Sequence, residues 1–107
     1  MALWEQVVAD LLDRTARFPK SVRFTLSTRI DNLALDILER LVEARWTSGA
    51  SKAAALRHAD LDLAKLRLLL RICCDRRHLD RRGWTHVSRS LDEVGRMLGG
   101  WRADARA

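Results

Sequence analysis

The sequence predicts an all-α protein, an antiparallel up-down-up-down four-helix bundle, on three observations. Pro19, Gly49 and Gly83 are the only helix breakers before Gly95, Gly99 and Gly100. Proline fixes φ and lacks an N–H, and glycine carries an entropy penalty in a helix, so these residues punctuate the chain. The intervals they leave are long: 27 residues from Lys20 to Trp46 and 26 from Lys52 to Arg77 contain neither residue. Within each interval the apolar side chains recur at steps of three and four, the period of one helix face. Short connections between four such segments make consecutive helices antiparallel.

The first segment, residues 2–17, sets Trp4, Val8, Leu11 and Thr15 at helical spacing, with Val7 and Leu12 widening the stripe. Phe18-Pro19 ends it, and proline suits the first turn of the next helix because no hydrogen bond is needed there. The second segment, residues 20–46, carries Leu26, Ile30, Leu33, Ile37 and Leu41 on one face and a second row, Leu35, Leu38 and Val42, beside it. One bundle core requires a single stripe. The extra row is either a subunit contact or the mark of a helix central to its own bundle. Thr47 to Ser51 is a small-residue loop in which Ser51 is a plausible N-cap for the third helix, residues 52–77. That helix aligns Leu56, Leu63, Leu66, Leu70 and Cys73, with Ala59 filling the gap. The fourth, residues 81–99, aligns Val87, Leu91, Val94, Leu98 and Trp101; Asp80 is its N-cap candidate, Gly83 falls in its first turn, and Ala103 to Ala107 reads as a frayed tail.

With 107 residues, 48% apolar and 32% charged, the chain reads as one soluble globular domain, residues 1–107. No apolar run approaches the ~20 residues that span a bilayer. The N-terminus lacks the pattern of a secretory signal, so a cytoplasmic location without membrane association is expected. Cys73 and Cys74 are adjacent and diverge by about 100° on a helix, which disfavours a bond between them. Cys73 is expected in the core and Cys74 at its edge. His58, His78 and His86 lack metal-ligand spacing, and no phosphate loop or nucleophile elbow is present. No metal, cofactor or catalytic residue is expected, and the chain does not read as an enzyme.

The charge is uneven. Lys65 to Arg89 holds eight basic and two acidic residues, which carries the whole net charge of +6. Elsewhere the signs balance, and Asp10–Arg14, Asp13–Arg17, Asp36–Arg40 and Asp92–Arg96 stand at the favourable i, i+4 spacing. In an up-down-up-down bundle the first and third connections share one end. Arg14, Arg17, Lys20 and Arg23 therefore meet Arg71, Arg76, Arg77, Arg81 and Arg82, offset only by Asp13, Asp75 and Asp80. Arg81 and Arg82 also oppose the positive end of the fourth helix dipole, at roughly 0.3–1 kcal/mol each. Like charge kept in an unfavourable place is offset when a polyanion binds. The candidate nucleic-acid-binding residues are Lys20, Arg23, Arg71, Arg76, Arg77, Arg81 and Arg82, against the alternative of a solvated basic loop. Phe18, Phe24 and Trp84 fall near the same end, where they either stack on bases or seal the bundle.

Phe18-Pro19-Lys20-Ser21-Val22-Arg23-Phe24-Thr25-Leu26 leads into Arg29-Ile30-Asp31-Asn32-Leu33-Ala34-Leu35-Asp36-Ile37-Leu38. With Lys65-Leu66-Arg67-Leu68-Leu69-Leu70-Arg71 and Gly95-Arg96-Met97-Leu98-Gly99-Gly100-Trp101, this string resembles the accessory variability determinant (Avd) family of diversity-generating retroelements. That family is related to the four-helix proteins of 23S ribosomal RNA intervening sequences, and the likeness runs from Phe18 to Trp101. The resemblance implies a basic four-helix bundle assembling as a homopentamer. It implies binding to the reverse transcriptase of the same retroelement and to template RNA or cDNA, without catalysis, in support of mutagenic retrohoming. Leu35, Leu38 and Val42 are the candidate subunit contact.

Three alternatives are weaker. An intervening-sequence protein shares the Phe-Pro-x-Ser start. A chorismate-mutase-type enzyme needs arginines and a glutamate inside the bundle, whereas these core stripes are apolar and Arg67 and Arg71 only flank theirs. A DNA-binding regulator would show a short helix-turn-helix pair, and these helices are too long.

Overall fold

The computed structural model describes the backbone of residues 2–106 and the side chains of residues 2–104. Four helices form an antiparallel bundle: α1 (Ala2–Thr15), α2 (Thr28–Trp46), α3 (Gly49–Asp75) and α4 (Arg81–Arg106). The bundle is a rod of 44 × 24 × 21 Å. The long contacts run between α2 and α3 and between α3 and α4; α1 leans chiefly on α2. Among the described residues there is no strand.

The core follows the sequence stripes closely in α3 and α4. Leu56, Ala59, Leu63, Leu66, Leu70 and Cys73 are all buried, as are Val87, Leu91, Val94 and Leu98; Trp101, expected on the same stripe of α4, is instead exposed. Each fully buried leucine or valine contributes roughly 1.5–3 kcal/mol relative to exposure. In α2 the innermost residues are Ile30, Ala34, Ile37, Leu41 and Ala44. Leu26 and Leu33 are only partly buried against them. Ala34 and Ala44 put small side chains in this core face, and the Trp4 indole of α1 donates to the Ala34 carbonyl at 3.0 Å. Val7 joins the α1 core, whereas Leu12 stays 37% exposed.

Several boundaries differ from the sequence reading. The first helix ends at Thr15, where Arg17 and Phe18 donate to the carbonyls of Arg14 and Thr15 and tighten the chain into a turn. Residues 20–46 are not one uniform helix: a 3₁₀ turn, Lys20–Val22, and a π-helical turn, Arg23–Ser27, precede α2. The wide π turn lets Val22 and Ser27, five residues apart, both reach the interior. The third helix starts before Ser51. Thr47 and Ser48 are extended, Gly49 turns the chain at φ +58°, and no side chain caps the helix. A residue with a Cβ would be strained at that glycine. Asp80 does cap α4, accepting from the Gly83 N–H at 2.6 Å, and Gly83 is buried in the first turn. The fourth helix continues through Arg106. Arg102 holds its last turns to α3 by pairing with Asp60 at 2.6 Å. Ala107 lies outside the described residues.

Candidate nucleic-acid interface

The site is built where the first and third connections meet. Phe18 packs on His78, ring centroids 5.8 Å apart. The Arg14 guanidinium, held by Asp10 at 3.0 Å, lies over Gly83, where a Cβ would come within 2.6 Å of it. A Cβ at Gly83 would displace that guanidinium and press on Asp80 and Leu79, each 3.0 Å away. Lys20, Arg23, Arg71, Arg76, Arg77, Arg81 and Arg82 are all exposed at or beside this end. None of them forms an ion pair among the described residues.

The third connection has an unusual backbone. The His78 N–H donates to the Cys73 carbonyl at 2.9 Å and the Arg77 N–H to the Cys74 carbonyl at 3.0 Å. This is the paired hydrogen-bond pattern that closes a helix with a left-handed residue, usually glycine. Here that residue is Arg77, at φ +63°. It is the one non-glycine with positive φ among the described residues, and a Cβ there costs about 1–2 kcal/mol. Strain of this kind persists where the surroundings enforce it, often at functional positions.

Ion pairing narrows the basic block. Arg67 pairs with Asp92 and donates to the Leu91 carbonyl at 3.0 Å, tying α3 to α4. Lys65 stands 3.8 Å from Asp62. Asp92 is therefore engaged across the bundle by Arg67, and the expected Asp92–Arg96 pair does not form. Asp36–Arg40 is likewise replaced by Arg40–Glu43 at 3.7 Å, and Asp13–Arg17 is absent. Asp10–Arg14 forms as expected. Seven of the cations left without an ion pair among the described residues lie at or beside the two connections; others, Arg45 and Lys52 among them, lie at the opposite end. Of the acids close by, Asp80 is engaged by its cap, Asp10 by Arg14, and Asp31 by the Thr15 hydroxyl at 2.6 Å. The placement also argues against a mutase-type site, since Arg67 lies across the surface and Arg71 is exposed.

Cys73 is buried beneath this end. Burial pushes its thiol up to about 11, with Arg76 pulling the other way and Cys74 adding to the rise. A thiol held protonated is a poor nucleophile and a poor metal ligand. Among the described residues no cluster of histidine, cysteine or carboxylate side chains could hold a metal ion. Among the described residues no helix is long and apolar enough to cross a membrane.

The three aromatics near the pole divide. Phe18 and Trp84 are partly buried against the core, whereas Phe24 is 86% exposed. The second row of α2 divides as well. Leu38 packs partly against its own core, and Leu35 and Val42 remain 40% and 44% exposed. Residues that the sequence did not single out include Trp46, 80% exposed at the end of α2, and an outer row on α3, Leu61, Leu68 and Ile72. Spacings of seven and four in that row carried the signal. At the end opposite the pole, a cavity of about 560 Å³ opens between Leu41, Arg45, Lys52, Leu56 and Trp101.

The family model described as bAvd-like matches residues 3–105. No curated protein matches the chain. No solved structure matches it either.

Proposed function

Because the chain belongs to the bAvd-like family, we propose that it is a non-catalytic accessory protein of a diversity-generating retroelement. In this reading it acts in the cytoplasm, binds the reverse transcriptase of the same retroelement, and holds template RNA or cDNA during mutagenic retrohoming. It works as a closed homo-oligomer, pentameric by the family likeness, with Leu35 and Val42 at the subunit contact and Leu38 partly shared with the core. Lys20, Arg23, Arg71, Arg76, Arg77, Arg81 and Arg82 contact phosphates.

The observation that carries the nucleic-acid part is the gathering at one end of the bundle of seven exposed cations, none in an ion pair among the described residues. Phosphate contacts release counterions, so affinity falls linearly with log salt, at a slope of about −0.7 to −0.9 per phosphate neutralised. Such contacts position a strand without reading it, so sequence preference is weak.

The test is the double variant Arg81→Glu/Arg82→Glu, with binding followed by fluorescence anisotropy over a salt series. It should bind RNA and DNA at least tenfold more weakly, with a flatter salt slope and unchanged helicity. The parent should also co-purify with the reverse transcriptase encoded beside it. A double variant that binds as well as the parent removes the pole from the nucleic-acid site.

A further inference from the structure

The nucleic-acid reading leaves open whether the pole takes paired or unpaired strands, and one side chain decides between them. We infer that Phe24 is a base-stacking platform, and that the pole therefore selects single-stranded nucleic acid over duplex; this rests on the nucleic-acid reading above.

Among the described residues Phe24 is the most exposed large apolar side chain, at 86%, and no ring contact or core packing engages it. Its position follows from the backbone. The π-helical turn Arg23–Ser27 sends Val22 and Ser27 inward and leaves Arg23, Phe24 and Thr25 on the outside. The Thr28 hydroxyl bonds the Arg23 carbonyl at 2.5 Å and the Thr25 hydroxyl bonds the Val22 carbonyl at 3.3 Å, which fixes the turn. Isolated π turns are uncommon and recur at functional sites. The other two aromatics at this end are committed to packing, which leaves Phe24 as the ring open to solvent.

The electrostatic surroundings point to the same ligand. Between Asp13 and Asp31 the chain carries five cations, Arg14, Arg17, Lys20, Arg23 and Arg29, and no acid; of the two flanking acids, Asp31 accepts from the Thr15 hydroxyl at 2.6 Å and shares a pocket with Arg23. An apolar ring flanked by unpaired cations, Arg23 beside it and Lys20 four residues before, matches how proteins hold unpaired strands: stacking on the base face with the backbone in a positive field. A duplex keeps its base faces inside the helix and offers an exposed ring only phosphate and sugar. The rival use of Phe24 is a subunit contact continuing the exposed row of Leu35 and Val42. A contact of that kind would have to desolvate Lys20 and Arg23, neither of which has an ion pair here, while the nearby Asp31 is already engaged by the Thr15 hydroxyl; that is costly.

The experiment compares parent, Phe24→Ala and Phe24→Trp by anisotropy against three probes: a 12-nucleotide single-stranded RNA, a 12-base-pair duplex and inorganic polyphosphate. Assembly mass is followed by light scattering in the same buffers. Phe24→Ala should lose about 5- to 150-fold in single-strand affinity, the range for one base stacked on one ring. Duplex and polyphosphate affinity and the salt slope should not change, because stacking releases no counterions. Phe24→Trp should restore single-strand binding. The inference is overturned if Phe24→Ala weakens all three probes alike, leaves single-strand binding unchanged, or alters the assembly mass. The Arg81→Glu/Arg82→Glu variant separates the two failures. Should it lose binding while Phe24→Ala does not, the pole stands and only the stacking role falls; should it bind like the parent, the pole falls as well.

Discussion

Replacing Arg77 by glycine should make the protein more stable and a poorer binder of nucleic acid at once. Arg77 closes α3 at φ +63°, where a Cβ costs about 1–2 kcal/mol. Glycine removes that cost and returns about 0.5–1 kcal/mol of it through the greater freedom of the unfolded chain. The net gain is about 0.5–1 kcal/mol, or roughly 2–8 °C in Tm for a domain of this size. The two backbone hydrogen bonds of the cap, Arg77 N–H to Cys74 and His78 N–H to Cys73, do not involve the arginine side chain and survive the change. Binding moves the other way. One phosphate contact per subunit disappears, so the salt slope should flatten by about 0.7–0.9 for each subunit engaged. Arg77→Ala is the control: it drops the charge but keeps the Cβ and the strain, so it should bind as weakly as the glycine variant with little change in stability. Urea and thermal unfolding, paired with anisotropy over a salt series, read both quantities. A glycine variant no more stable than the alanine variant refutes the strain reasoning. Unchanged binding in both removes Arg77 from the phosphate contacts.

Two further outcomes follow from the same structure. The Cys73 thiol stays protonated in the folded protein up to about 11, while in the unfolded chain it ionises near 9.0. Between those values the unfolded state holds fewer protons, so stability should fall as pH rises from about 9 to 11, by roughly 2–3 kcal/mol in urea titrations. Cys73→Ala, though less stable throughout, should lack that slope; an identical slope in the variant assigns it to another group. At the subunit contact, Val42→Glu should keep the fold, since Val42 is 44% exposed, and reduce the mass by light scattering toward 12.3 kDa. Leu38→Glu should unfold the protein instead, because Leu38 packs on its own core. A Val42→Glu variant of parental mass places the contact elsewhere, with the outer row of α3 the next surface to change.

The core faces of α3 and α4 were legible because each stripe recurs at steps of three and four, even though α3 also carries an exposed apolar row on its outer side. The cap at Asp80 was legible for a similar reason: the residue type and its distance from Gly83 suffice. The entry to α2 was not. Whether a chain leaving Pro19 winds as an α, 3₁₀ or π turn depends on how the bundle buries Val22 and Ser27, and local spacing does not contain that. Ion pairs divided along the same line. Asp10–Arg14 is local, whereas Arg67–Asp92 and Arg102–Asp60 join residues 25 and 42 positions apart. The first of these took Asp92 from its nearer neighbour, and the second kept the last turns of α4 folded. For the pole, composition and topology located the cations, but the left-handed Arg77 and the outward Phe24 are properties of backbone geometry alone.

The unequal ends of the rod carry a consequence for symmetry. The seven cations of the pole lie at one end of a molecule 44 Å long. Copies packed side by side about a single rotation axis all point the same way, so every pole falls on one face of the ring; a dihedral arrangement would divide the poles between two faces. A cyclic ring therefore concentrates repulsion on one face. Added salt screens that repulsion and favours assembly, yet the same salt weakens the hold on a polyanion. Ionic strength thus acts in opposite senses on ring closure and on strand binding. A cyclic assembly should show greatest occupancy by nucleic acid at an intermediate salt concentration, and a bound strand should itself promote closure of the ring.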